Sequence, residues 1–133
     1  MRAIKNVRLR NYDYSSDGFY FITICTDYRK PYLTGKSKDI VAQFIGQLPD
    51  KISGVRLDYY RIMPSHIHLI LVLENCQLKV SEIVRRLKAV TTRQVQFRLW
   101  QPNYYEHVIR DGKALAKVRE YIQNNPLTER PEL

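Results

Sequence analysis

Two of the three histidines, His66 and His68, stand one residue apart at the head of an apolar run that is typical of a buried β-strand. Side chains alternate between the two faces of a strand, so both imidazoles share one face while Ile67, Leu69 and Leu71 share the other. The two residues lie about 6.6 Å apart along such a strand. Neutral imidazole is a common metal ligand. The pair therefore predicts a site for one divalent cation on one face of a sheet.

The apolar pattern of the rest of the chain predicts an α+β fold. Four segments have the composition or alternation of strands, and they span residues 19–26, 55–62, 66–73 and 104–110. Three segments have helical spacing, and they span residues 37–48, 81–97 and 113–125. We expect Pro49 to end the first helix and Ser81 to cap the second. The order β-α-β-β-α-β-α is that of a ferredoxin-like antiparallel four-stranded sheet, with helices on one face, an open opposite face and one helix added at the C-terminus.

The charge of the chain favours a polyanionic partner. Its 133 residues, which we expect to form one domain over 1–133, include 22 Lys and Arg but only 13 Asp and Glu, giving a net charge of +9. Such an excess is typical of nucleic-acid binding, and some of the ten tyrosines can stack on unpaired bases. The second predicted helix has a cationic face, which is solvated by default but also predicts some phosphate contacts; its members are Arg85, Arg86, Lys88 and Arg93.

The sequence gives no sign of a membrane or secreted protein. It has no apolar run of 18 residues, and residues 1–6 lack the apolar stretch of a signal peptide. Cys25 and Cys76 form no disulfide framework. We therefore expect a cytoplasmic location and no membrane partner.

The last predicted helix has two stripes of interest. The apolar stripe, which we expect to be buried, comprises Leu115, Val118 and Ile122. A second stripe comprises Lys117, Tyr121 and Asn125, in which the tyrosine and the asparagine are about 6 Å apart along the axis. If this helix lies beside the sheet, the phenol and the amide can both reach the histidine pair. Two imidazoles and an amide oxygen favour Mg²⁺ or Mn²⁺ over Zn²⁺.

These features together resemble a known family. The His-Ile-His segment after Met-Pro-Ser is similar to the HUH motif of single-tyrosine transposases, and residues 14–26, 100–110 and 121–126 resemble three further blocks of that family in the same order. The subgroup it resembles most is the REP-associated tyrosine transposases. The resemblance covers nearly the whole chain, from about residue 8 to residue 127.

The resemblance implies a function and a site. His66, His68 and Asn125 would bind Mg²⁺ or Mn²⁺, and Tyr121 would attack a phosphodiester of single-stranded DNA that carries a hairpin. The products would be a 5′-phosphotyrosine and a free 3′-hydroxyl, which can later be rejoined. Apart from the resemblance, the position of Lys117 one turn before Tyr121 makes it a candidate for contact with the phenol and the DNA. The enzyme would be associated with the nucleoid when bound to DNA. Such proteins include dimers, in which the tyrosine serves the partner's site, and monomers that act in cis.

Other interpretations remain open from the residues alone. Tyr104 and Tyr105 are rival nucleophiles, although adjacent strand residues face opposite ways and at most one can reach the site. Glu106 and His107 are alternative ligands. Trp100 either stacks on a base or closes the core. A noncatalytic single-stranded nucleic-acid binder with an open sheet would need neither the histidine pair nor the helix tyrosine, and a decayed transposase would fold without cleaving.

Overall fold

The structure is a computed structural model that describes residues 17–124. Its strands are β1 (Gly18–Cys25), β2 (Val55–Met63), β3 (His66–Leu73) and β4 (Tyr105–Ile109). Its helices are α1 (Gly35–Gly46), α2 (Leu48–Lys51), α3 (Val80–Val95) and α4 (Gly112–Asn124), and a 3₁₀ turn covers Asp27–Arg29. The predicted order of strands and longer helices is confirmed, and the structure adds the short helix α2 and the 3₁₀ turn. Within residues 17–124, no helix has both the length and the apolar character needed to cross a lipid bilayer.

The four strands form one sheet in the order β2-β3-β1-β4, with every neighbouring pair antiparallel. This is the ferredoxin-like arrangement that the sequence predicts. The strand β3 is central and all eight of its residues are buried. Thr23 of β1 and Arg61 of β2 both lie opposite His68 in the register. Since residues directly opposite each other share a face, both side chains are directed to the face of the histidines.

The two faces of the sheet carry different helices. The larger core lies between α1, α3 and one sheet face, where Val41, Ile45 and Leu87 pack with Ile67 and Leu69. The added helix α4 packs on the opposite face. There its buried stripe of Leu115, Val118 and Ile122 contacts a group of sheet residues consisting of Phe21, Ile70 and Ile109. The predicted open face is thus partly covered by α4, on the same side as the histidine pair.

The predicted helix bounds differ from the observed ones by one or two residues, and the roles predicted for Pro49 and Ser81 at helix ends are wrong. Pro49 not only follows α1 but also lies in the first turn of α2, where its missing N–H costs no hydrogen bond. The residue that precedes α3 is Lys79, which makes no side-chain capping bond, so Ser81 is not the cap. Glu82 in the first turn binds Arg85 and Arg86 instead.

Trp100 closes the core. Its side chain is buried, and its Nε1 donates a 2.9 Å hydrogen bond to Oγ1 of Thr91. Thr91 is fully buried on α3 and donates in turn to the carbonyl of Leu87 at 2.7 Å. A threonine therefore occupies the buried position at this end of α3, while the predicted core residue Val90 is only half-buried. The alternative in which this indole stacks on a base is wrong.

Candidate active site

The histidine pair forms the centre of the site. His66 and His68 begin β3 with exposed fractions of 2% and 1%, and their ring centroids are 4.7 Å apart with 68° between the planes. The predicted common face is confirmed. Two adjacent buried imidazoles are a costly arrangement for a core, because each ring has two nitrogens that need partners.

Neighbouring hydroxyl groups contact one nitrogen of each ring. Oγ1 of Thr23 lies 2.9 Å from Nδ1 of His68, and Oγ of Ser65 lies 3.2 Å from Nδ1 of His66. The Nε2 atoms of both rings are buried, and that of His68 has no hydrogen-bond partner among residues 17–124. A buried polar atom left unsatisfied costs about 1–3 kcal/mol. A hydrogen bond on one ring nitrogen that leaves the other for a cation is the usual arrangement of a metal-binding histidine, so these residues fit a metal ion.

The environment of His68 keeps its ring neutral. Burial, and then the charges of His66 and Arg61, lower the pKa of His68 from 6.5 to about 3. The neutral imidazole has a lone pair on one nitrogen and is the form that binds metal. The electrostatics of the pair thus agree with its geometry.

The helix α4 places Tyr121 beside the pair. The ring centroid of Tyr121 is 5.8 Å from that of His68 and 6.0 Å from that of Phe21, both in edge-on orientations. The side chain is half-buried at the border of the small apolar cluster under α4. Because α4 packs on the sheet of its own chain, the rings of Tyr121 and His68 lie next to each other within one molecule. Asn125, the predicted third ligand, lies outside the described residues.

Two arginines tie α4 to the edge strand β2. Nη1 of Arg61 donates to the carbonyls of Ile122 at 3.3 Å and of Gln123 at 2.5 Å, at the C-terminal end of the helix. Arg119 forms a two-pronged ion pair with Asp58, with distances of 2.9 Å and 2.5 Å. A cation at the last carbonyls of a helix also complements the helix dipole. Sequence reasoning missed both contacts, because the partners lie 61 or more residues apart and no spacing relates them.

The predicted cations of α3 lie across the sheet from the histidines. Arg85 and Arg86 form ion pairs with Glu82, at 2.6 Å and 2.9 Å. With Arg93 they line a groove of about 590 Å³ between α1–α2 and α3. Nζ of Lys88 lies 2.8, 3.1 and 3.0 Å from the carbonyls of residues 101, 102 and 103. Burial lowers the pKa of Lys88. The ammonium group of Lys88 thus donates its three hydrogen bonds to the loop before β4.

The remaining candidates are also placed. The hydroxyl of Tyr104 donates to Oε1 of Glu106 at 2.6 Å, and burial raises the pKa of this phenol. Tyr105 lies on the histidine face, opposite Thr23 in the register, with its ring centroid 6.3 Å from that of Phe21. His107 shares that face, yet among residues 17–124 no group of three or more His, Cys, Asp or Glu side chains could hold a metal ion. Lys117 is exposed on α4.

An antiparallel sheet with two buried imidazoles and a helix-borne tyrosine on one face defines the class of site, and comparisons with known proteins agree with it. Residues 15–125 match the model of the family described as "Transposase IS200 like". An uncharacterised protein of Haemophilus influenzae is 36% identical, with 92% of this chain and 88% of that protein covered. A second protein of the same organism, named provisionally as a REP-associated tyrosine transposase, is 31% identical over 86% of this chain and 73% of its own length.

Solved structures give the same result. A REP-associated tyrosine transposase bound to a REP hairpin superposes with a TM-score of 0.74 at 25% identity, covering 93% of this chain and 73% of that one. A protein of Deinococcus radiodurans, described provisionally as a transposase, superposes with a TM-score of 0.61 at 22% identity, a likeness of fold that covers 92% of this chain and 99% of that one. The chain belongs to the IS200-like transposase family. The resemblance inferred from the sequence is thereby confirmed.

Proposed function

We propose that this transposase is a metal-dependent endonuclease and strand transferase that cuts and rejoins single-stranded DNA through Tyr121. The observation that carries the proposal is the position of the Tyr121 ring, 5.8 Å from that of His68 in the same chain. A core tyrosine has no need of two adjacent buried imidazoles. A nucleophile that attacks a phosphodiester is assisted by a neighbouring cation site, because the cation stabilises the negative charge that develops at phosphorus.

The histidine pair would hold Mg²⁺ or Mn²⁺, with Asn125 as the proposed third ligand. When bound, such an ion polarises a phosphate oxygen and stabilises the charge that develops in phosphoryl transfer. Thr23 would keep the ring of His68 in the orientation that turns Nε2 toward the ion. The buried Nε2 of His68 supports this assignment.

Tyr121 would perform the covalent step. Its phenolic oxygen attacks phosphorus and forms a P–O bond, the bond from phosphorus to the 3′-oxygen breaks, and the phenolic proton passes to solvent. The 3′-oxygen takes up a proton and leaves as a free 3′-hydroxyl, while the 5′-phosphate stays on the tyrosine. The reverse attack by a 3′-hydroxyl rejoins a strand, because the phosphodiester energy is conserved in the covalent bond.

The proposed partner is single-stranded DNA with a hairpin. The net charge of +9 supports a polyanionic partner, and a solved relative is bound to a REP hairpin. The groove beside α3 lies on the face opposite the histidine pair, and its cations Arg85, Arg86 and Arg93, together with Lys117 on α4, are proposed phosphate contacts. Because Lys88 holds backbone carbonyls, we assign it to the fold instead. The packing of α4 on its own sheet supports catalysis in cis, whether the protein is a monomer or a homodimer.

A covalent adduct assay tests the proposal. The wild-type protein is incubated with labelled hairpin-containing single-stranded DNA and Mg²⁺ or Mn²⁺, and a DNA–protein adduct that survives denaturant is scored. We expect the adduct to require the metal and to be lost in Tyr121→Phe. The variant Tyr105→Phe is the matched control, since it removes the rival hydroxyl on the same sheet face and should still form the adduct. Formation of the adduct by Tyr121→Phe would show that a residue other than Tyr121 is the nucleophile. Binding of DNA by the wild type without any adduct would indicate a noncatalytic binder.

A further inference from the structure

The turn after β1 presents an aromatic ring to solvent in an unusual way. Tyr28 is 84% exposed, far more than the other exposed large hydrophobic residues among 17–124, Tyr60 at 37% and Phe97 at 39%. Both Tyr28 and Arg29 adopt a left-handed backbone conformation, with φ of 54° at each. This conformation is unfavourable for residues with a Cβ. Two such residues in succession hold the ring away from the core, and a strained turn of this kind is often a functional feature.

Thr26 fixes this turn to the histidine strand. The backbone N–H of Thr26 donates to the carbonyl of Ser65 at 2.9 Å, and its Oγ1 lies 2.6 Å from the carbonyl of Lys30 and 3.1 Å from that of Ser65. The N–H of Arg29 donates back to the carbonyl of Thr26 at 3.0 Å. Ser65 directly precedes His66. The exposed ring therefore stands on a hydrogen-bonded turn at the end of the sheet where the histidine-bearing strand β3 begins.

A second exposed ring and three cations lie in the turn of Tyr28 or in the segment that is held against it. The N–H of Asp27 donates to the carbonyl of Leu99 at 2.8 Å, which holds the segment before β4 against the turn. In that segment Phe97 packs edge-on against Tyr32, with centroids 5.0 Å apart. Arg98 lies 3.5 Å from the one acid of the turn, Asp27, and partly neutralises it. We call this surface the aromatic patch, and its members are Tyr28, Arg29, Lys30, Phe97 and Arg98.

We infer that the aromatic patch binds the single strand where it enters or leaves the active site, with an unpaired base stacked on Tyr28 and phosphates held by the cations around it. The inference rests on the proposed function for the presence of a single strand at the histidine pair. Exposed rings interleaved with cations are how proteins bind single strands without sequence preference. A base has an apolar face and its phosphate has a negative charge, which matches the ring and the three cations. The hydrogen bond from Thr26 to Ser65 joins the turn that carries the patch to the residue before His66, at the end of the sheet where the histidine pair lies.

Binding without chemistry tests the inference. The probe is a fluorescein-labelled thymidine homopolymer, titrated with protein in EDTA and followed by fluorescence anisotropy. We expect Tyr28→Ala to weaken binding by about tenfold, the scale of one lost base–aromatic stack, and Tyr28→Phe to bind like the wild type. Tyr60→Ala is the matched control, because it removes a partly exposed tyrosine outside the aromatic patch. Its register position, opposite Leu69, puts it on the sheet face away from the histidine pair. Thermal melts of the wild type and the two Tyr28 variants should coincide, since the ring of Tyr28 is exposed.

The outcomes separate this inference from the proposed function. If Tyr28→Ala binds the homopolymer as tightly as the wild type, the stacking role is overturned even when the wild type forms the covalent adduct. Equal losses in Tyr28→Ala and Tyr28→Phe would also overturn it, since the hydroxyl and not the ring would then matter. If Tyr28→Ala weakens binding while the wild type forms no adduct, the stacking role of Tyr28 is supported and the nucleophilic role of Tyr121 is refuted. In the active protein, Tyr28→Ala should raise the DNA concentration for half-maximal adduct formation and leave the rate at saturation unchanged.

Discussion

Replacement of Arg61 by methionine should slow the formation of the covalent adduct with little effect on overall folding. The methionine keeps most of the length of the side chain and removes both hydrogen bonds to the end of α4. Those bonds hold the carbonyls of Ile122 and Gln123, which directly follow Tyr121. Arg61 is therefore a positioning residue in this account: it acts on the chemistry through the place it gives to the phenol.

The size of the effect follows from the contact geometry. Hydrogen bonds from a charged donor contribute about 1.5–3 kcal/mol each. The bond to Ile122 is long at 3.3 Å and the bond to Gln123 is exposed, so we expect a total loss of about 1–2 kcal/mol. That loss destabilises the last turn of α4, where local unfolding already requires little free energy. Since a misplacement of about 1 Å can cost about 100-fold in rate, we expect adduct formation at saturating DNA to slow by about 10- to 100-fold.

The assay is the single-turnover rate of adduct formation at saturating DNA and metal, with a thermal melt alongside. Arg61→Lys should restore part of the rate, because an ammonium can still donate to the same carbonyls. Arg56→Met on the same strand is the matched control, since Arg56 is exposed near the other end of β2. A wild-type rate in Arg61→Met would refute the positioning role. A change confined to the DNA concentration needed for saturation would show instead that Arg61 binds the substrate.

Three further predictions test the fold and the site. In a double-mutant cycle of Asp58→Asn and Arg119→Gln, urea unfolding should give a coupling free energy of about 0.5–1 kcal/mol, and strictly additive effects would contradict the ion pair. Thr23→Val should weaken Mn²⁺ binding, measured by calorimetry without DNA, by about 10- to 100-fold; unchanged affinity would show that its hydroxyl does not orient the histidine. Trp100→Phe leaves the buried hydroxyl of Thr91 without its donor and should lower the free energy of unfolding by about 1–3 kcal/mol, whereas a change below about 0.5 kcal/mol would contradict the core role.

Much of the fold follows from local periodicity. The bounds of β3 are those predicted, because alternating faces and an unbroken apolar run determine a buried strand without reference to the rest of the chain. The buried stripe of α4 is confirmed for the same reason: Leu115, Val118 and Ile122 all point one way on a helix. The common face of His66 and His68 is likewise a consequence of a period of two.

What the sequence could not predict depends on contacts between distant segments. The salt bridge from Arg119 to Asp58 joins residues 61 positions apart, and neither residue stands out locally. The cations of α3 share one side of the helix, but their spacing in the sequence does not reveal that α3 packs on the sheet face opposite the histidines. Nor could it show that Lys88 is held by three carbonyls of the loop before β4. Such roles depend on tertiary packing.

The central claim is that the imidazole pair and the phenol of one chain act together on one phosphodiester. The direct measurement mixes two variants of different size, His68→Ala and Tyr121→Phe, with labelled single-stranded DNA and Mg²⁺, and identifies by gel mobility which chain becomes attached to DNA. We expect each variant to be inactive alone and the mixture to form no adduct, while wild-type protein added to the His68→Ala variant forms an adduct on the wild-type chain. DNA attached to the His68→Ala chain in the mixture would contradict this claim, because the tyrosine would then serve the histidines of another molecule.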